Sequence, residues 1–179
     1  DPQRVVHVDL DYVHSADPAE QERNLSALLD RIQQIRPTTV YLQAYADPDG
    51  DGEADALYFP SRHLPMRADL FNRVAWQLET RVGVQVYAWM PMLAFRLPDG
   101  HPARDDVVAA APGKAGSSYR RLSPFSPRAR ATIAEIYEDL GRHAHFSGLL
   151  FHDDGLLGDH EDASRAALEV YRGQWVLPA

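Results

Sequence analysis

The sequence predicts an α/β fold of the (β/α)8 TIM-barrel type, with its 179 residues covering roughly the first half of the barrel. Three observations predict it. First, β-branched apolar runs alternate with helix-period runs in the order βαβαβαβα, which implies a parallel sheet with right-handed crossovers. Second, each strand run ends in polar or aromatic residues: Asp9, Asp11 and Tyr12; Gln43, Tyr45 and Asp47; Trp89; His152, Asp153 and Asp154. In a barrel those strand ends build the active site. Third, no strand is followed by the glycine-rich phosphate loop of a doubly wound nucleotide-binding sheet. A complete barrel needs about 250 residues, so the domain, residues 1–179 with no second domain, is expected to be cut short at its C-terminus. The abrupt start at Asp1-Pro2 suggests a targeting segment upstream.

Each element has its own signal. Val5 to Tyr12 is a β-branched run that turns into alternation, so His7, Asp9 and Asp11 are expected on one strand face. Carboxylates on an otherwise buried face are costly without a partner or a purpose. Asp17-Pro18-Ala19-Glu20 starts a helix, with Asp17 as cap, Pro18 at the first helical position and Glu20 completing a capping-box-like pattern. Leu25, Leu28, Leu29, Ile32 and Ile35 form its apolar stripe, and Pro37 ends it. Thr39 to Ala46 reads as the second strand. Asp69 to Arg81 reads as the second helix, stopped at Gly83. Val84 to Pro91 is the third strand. Leu93 to Phe125 shows no period, and so long a connection is usually functional or disordered. Ser126-Pro127 opens a third helix carrying Ile133, Ile136, Tyr137 and Leu140. Ser147 to His152 is the fourth strand, and a last helix spans about Asp162 to Tyr171.

Composition narrows the chemistry. Hydrophobic residues make up 45% and charged residues 25%, as in ordinary globular domains. Cysteine is absent, which excludes disulfides, thiol catalysis and cysteine-built zinc sites, and leaves the compartment open. The net charge of −8 disfavours nucleic acid and anionic membranes and suits a neutral or cationic partner.

The densest chemistry follows the apolar run Phe146 to Phe151. It stops at His152-Asp153-Asp154, and Asp159, Glu161 and Asp162 follow. An apolar run ending in clustered acids reads as a buried strand delivering carboxylates to a cleft; the plain alternative is a solvated turn. The Asp47-Asp49-Asp51-Gly52 loop matches the opening of an EF-hand, with Asp55 at the ninth position, but the twelfth is Tyr58 rather than Glu. No His-x-x-x-His or His-x-His pair supports a catalytic metal, and no Gly-x-Ser-x-Gly elbow supports a serine hydrolase. Paired carboxylates remain, and glycoside hydrolysis needs two across a sugar bond. Tyr12, Tyr45 and Trp89 near strand ends suit stacking on sugar rings, whereas Tyr41 and Tyr87 suit interior packing.

Six stretches together carry a resemblance: His7-Val8-Asp9-Leu10-Asp11-Tyr12, Tyr41-Leu42-Gln43-Ala44, Asp47-Pro48-Asp49-Gly50-Asp51-Gly52, Tyr87-Ala88-Trp89-Met90-Pro91, Arg121-Leu122-Ser123-Pro124-Phe125 and Phe151-His152-Asp153-Asp154. In this order they resemble the C-terminal glycoside hydrolase domain of the two-domain poly-β-1,6-N-acetylglucosamine de-N-acetylases of the PgaB/BpsB type. The resemblance implies a barrel that binds and internally cleaves the partially de-N-acetylated biofilm polymer in the periplasm during export. It implies a natural partner in an N-terminal deacetylase domain, which carries that family's metal chemistry, and an acidic groove around Asp153, Asp154 and Asp159.

The resulting expectation assigns chemistry to Asp153 and Asp154, with Glu161 as a candidate acid. Asp9, Asp11 and Asp159 would orient substrate or hold its ammonium group, and Tyr12, Gln43, Tyr45, Trp89 and His152 would line the binding site. No cofactor or metal is expected, and the chain is expected to be a monomer that binds polysaccharide and no nucleic acid. Two other readings stand beside it: a non-catalytic module guiding the polymer to an export pore, and a calcium-dependent structural domain.

Overall fold

The computed structural model describes residues 2–115, 119–157 and 161–174, with the backbone alone described at Asp153. Four strands form one parallel sheet in the order β1 (Val5–Val8), β2 (Thr39–Gln43), β5 (Gln85–Met90) and β6 (Gly148–Phe151). A two-stranded antiparallel ribbon, β3 (Tyr45–Ala46) and β4 (Ala56–Leu57), rises from the end of β2. The sheet order follows the chain order, and every pairing within it is parallel. Right-handed crossovers that never reverse direction put their helices on one side of a sheet. This is the winding of a (β/α) barrel rather than of a doubly wound sheet, which reverses at its switch point.

Helix α1 (Pro18–Ile35) starts where its cap was expected: Asp17 Oδ1 accepts the Ala19 N–H at 3.0 Å. Glu20 does not close a box onto Asp17. It accepts from Ser15 Oγ at 2.9 Å, and Ser15 Oγ accepts the Asp17 N–H at 3.1 Å. Leu25, Leu28, Leu29 and Ile32 are buried, each worth about 1.5–3 kcal/mol against exposure. Helix α2 (Phe71–Gln77) ends in a π-helical turn, Leu78–Val82, and Gly83 stops it with a positive φ of 76°. Helix α3 (Pro127–His143) is capped by Ser126, and α4 (Arg165–Gln174) follows the last loop.

The strands differ from the expected runs in two places. The first ends at Val8, and Leu10–Tyr12 forms a 3-10 turn, so strict alternation stops before Asp11. The second breaks after Gln43, where Ala44 N–H donates to Trp89 O at 3.1 Å and the chain turns up into the ribbon.

Strand register explains the two sheet faces. Residues level with one another on parallel strands face the same way. Val8, Leu42 and Ala88 are level on the helix-covered side and buried. His7, Tyr41, Tyr87 and Gly148 are level on the other side, the barrel interior. His7 and Tyr41 meet edge to face with centroids 5.0 Å apart, as do Tyr41 and Tyr87 at 5.9 Å. Tyr41 and Tyr87 therefore pack inside, as expected. Gly148 makes room for the Tyr87 ring: a Cβ there would lie 2.7 Å from Tyr87 Cε1.

The aperiodic stretch from Leu93 to Phe125 is built into the body of the protein. Leu93, Ala94, Phe95, Leu97, Ala103 and Leu122 are buried, and single bridges join Ala54 to Phe95 and Val107 to Leu122.

Candidate active site

The interior face carries its polar groups upward to the strand ends. At the end of β1, Asp9 Oδ1 accepts the Asp11 N–H at 2.8 Å and Gln43 Nε2 at 3.1 Å. Gln43 also donates to Tyr45 O at 2.9 Å. Burial, followed by the charge of Asp11, pushes the Asp9 carboxyl above its usual range. Asp11 is engaged through both oxygens: Oδ1 accepts from Tyr58 OH and from Arg67 Nη1 at 3.0 Å, and Oδ2 accepts the Asp47 N–H at 2.9 Å. Asp9, Asp11, Gln43, Asp47 and Arg67, with Tyr12 and Asp49, line an open cleft of about 480 Å³. Tyr12 stands at its lip with 85% of its surface exposed. An exposed aromatic beside acids is a ready platform for a sugar ring.

At the ends of β5 and β6, Trp89 and His152 stack with centroids 4.9 Å apart and planes 19° apart. Tyr45 OH meets His152 Nε2, and burial holds the Tyr45 phenol well above its usual range. Gln43 and Tyr45 are both buried and brace Asp9 and His152, and Gln43 also borders the cleft.

The acids after β6 are not equivalent. Asp154 is 1% exposed. Its Oδ2 accepts the amides of Met92 at 3.1 Å, Leu93 at 2.7 Å and Ala94 at 2.7 Å, and its Oδ1 accepts Met92 N–H at 2.9 Å. The carboxylate thus organises the loop that leaves β5. Glu161 Oε2 pairs with Arg121 Nη2 at 2.5 Å. Asp162 accepts from Ala109 N, Ser164 N and Ser123 Oγ. Asp153 occupies the start of a 3-10 turn, Asp153–Gly155, directly after the His152–Trp89 stack. Asp159 lies outside the described residues.

The Asp47 loop gathers Asp47, Asp49, Asp51 and Asp55 with carboxylate oxygens within 4.8 Å of one another, a donor set of the type hard cations take. It is not closed as an EF-hand: Tyr58, at the twelfth position, is fully buried and donates to Asp11. Burial, opposed by the Gly52 N–H, pushes the Asp47 carboxyl up to about 6, while its hydrogen bond to Asp49 pulls Asp49 below the usual range.

Arg67 and Tyr58, which hold Asp11, and Arg121, which pairs with Glu161, have roles that the sequence does not assign. Arg67 and Tyr58 lie 56 and 47 residues from Asp11 in the chain, and nothing local marks either. Arg121 carried a signal, being a charge set beside the apolar Leu122 and Phe125.

Comparison with known proteins gives the chain its relatives. Residues 7–179 match the model of "Hypothetical glycosyl hydrolase family 13" (GHL13). The chain is 50% identical over 174 residues to the poly-beta-1,6-N-acetyl-D-glucosamine N-deacetylases of Escherichia coli K12 and O157:H7; the match takes in 96% of the chain and 26% of those proteins. The PgaB (BpsB) glycoside hydrolase domain from Bordetella bronchiseptica superposes with a TM-score of 0.91 at 57% identity, covering 99% of this chain and 51% of that one. The chain therefore spans about a quarter of the curated relatives and about half of that solved domain. A hypothetical protein from Ruminiclostridium thermocellum shares the fold alone, with a TM-score of 0.62 at 13% identity.

Proposed function

The chain belongs to the hypothetical glycosyl hydrolase family 13 (GHL13), and on that premise we propose that it acts on partially de-N-acetylated poly-β-1,6-N-acetyl-D-glucosamine, cleaving it internally. The observation that carries this reading is the gathering of carboxylates and the exposed Tyr12 at the C-terminal ends of adjacent parallel strands. A de-N-acetylated glucosamine bears an ammonium group, which an acidic cleft attracts electrostatically. Asp9, Asp11 and Asp47 face that cleft, and Tyr12 offers the stacking surface.

In this reading Asp153 is the carboxylate that does chemistry, and Asp9, whose carboxyl burial pushes above its usual range, is the acid that partners it. Asp154 moves from chemistry to support, because its carboxylate is spent on three backbone amides. Glu161 does likewise through Arg121. His152, next to Asp153 in the chain, stacks on Trp89 at the strand ends. The domain works in the periplasm, joined to a deacetylase domain as in the longer relatives, during polymer export.

One observation favours a second reading, a module that holds the polymer without cutting it. Two of the three acids expected to react are tied to structural partners, which leaves few carboxylates for a two-carboxylate reaction. Incubating the intact protein with defined oligomers separates the two. Shortened products support hydrolysis, whereas saturable binding with every oligomer intact supports the module.

A further inference from the structure

We propose that Arg121 is the positioning residue for Asp153, acting through the backbone of the loop that carries it. The proposal rests on the reading of Asp153 as the reacting carboxylate. On its N-terminal side Asp153 follows an anchored residue: His152 N–H donates to Met90 O at 3.0 Å and extends the β5–β6 ladder. On its C-terminal side the Asp154 carboxylate is fixed by the amides of Met92, Leu93 and Ala94. Those bonds hold a side chain, and the peptide groups beyond it still need partners. Arg121 supplies them. Its Nη1 donates to Asp154 O at 3.3 Å and Leu156 O at 2.7 Å, and its Nη2 to Glu161 Oε2 at 2.5 Å.

The guanidinium is 3% exposed, and burying it is costly unless its donors are used. Its Nη donors go to the loop that bears Asp153, while its Nε has no hydrogen-bond partner among the described residues. The choice of arginine follows. A lysine ammonium is a single point and cannot meet two carbonyls and a carboxylate in the fixed fork that a guanidinium spans. The Arg121 backbone is itself anchored, its carbonyl accepting Val108 N–H at 2.8 Å, so the fork starts from a fixed base. Displacing a reacting group by about 1 Å can cost about 100-fold in rate while leaving remote binding contacts intact.

The test uses cleavage of a partially de-N-acetylated oligomer by the intact protein carrying Asp153→Asn, Arg121→Lys, or Arg121→Met with Glu161→Gln. The double change removes both members of the buried pair together, so no lone charge is left to unfold the loop. Folding is followed by circular dichroism, and oligomer affinity by calorimetry. Asp153→Asn is expected to abolish cleavage. Arg121→Lys is expected to lower kcat at least ~30-fold with KM within about threefold, and the double variant ~100-fold, both with unchanged oligomer affinity. A folded Arg121→Lys protein with kcat within about twofold of the unmutated one would overturn the proposal, as would losses of affinity that parallel those of kcat. Cleavage by Asp153→Asn at the unmutated rate would instead overturn the reading of Asp153 itself.

Discussion

Asp154→Asn separates support from chemistry at the acids after β6. The substitution keeps the shape of the side chain and removes its charge. In the favourable orientation the amide oxygen takes the place of Oδ2 and keeps Met92, Leu93 and Ala94 as donors, while the new NH2 group faces Met92 N–H where Oδ1 accepted it at 2.9 Å. Hydrogen bonds to a charged acceptor contribute about 1.5–3 kcal/mol and neutral ones about 0.5–1.5, so three weakened bonds and one lost contact amount to about 4.5–7.5 kcal/mol. At this chain length each kcal/mol moves the melting temperature by about 2–4 °C, which gives a fall of about 9–30 °C. Thermal melting by circular dichroism at pH 7 measures it. Oligomer affinity should hold at temperatures where the variant is folded, since the carboxylate is buried. A variant that melts within about 1 °C of the unmutated protein refutes the argument. If that variant also fails to cleave, Asp154 is a reacting group after all.

Two further perturbations probe the cleft. Tyr12→Ala should leave melting unchanged, because the side chain is almost wholly exposed, and should weaken oligomer binding about 2–10-fold in calorimetry; unchanged affinity would remove Tyr12 from the binding surface. The Asp47 carboxyl, pushed up to about 6 mainly by burial, is raised above its value of 3.8 in the unfolded chain. Its contribution to stability is therefore full below about pH 4 and is lost as pH rises through about 6. The melting difference between Asp47→Asn and the unmutated protein should accordingly shift in favour of the variant between pH 4 and pH 7.5. A constant offset at both pH values would contradict this.

The frame of the fold was legible because it is periodic. Alternating runs gave four parallel strands and their crossover helices, and the polar residues closing each run marked the end of the sheet where the cleft lies. The break after Gln43 was not legible: Ala44 is apolar and leaves no mark where it turns its amide to Trp89 O. The long connection after β5 looked structureless because its order comes from side chains meeting backbone, as Asp154 meets residues 92–94 and Asp162 meets Ala109 N, and such bonds have no period. Asp153 and Asp154 are identical neighbours in sequence, and only the fold shows Asp154 buried against the amides of residues 92–94. Arg67 and Asp11 lie on segments that only the fold brings together.

Cleavage of a defined, partially de-N-acetylated poly-β-1,6-N-acetylglucosamine oligomer, followed by mass spectrometry, addresses the central claim most directly. The intact protein should release internal fragments, and Asp153→Asn should bind the oligomer with unchanged affinity and leave it whole. An oligomer bound by the unmutated protein and left intact, or one cleaved equally well by Asp153→Asn, would contradict the account.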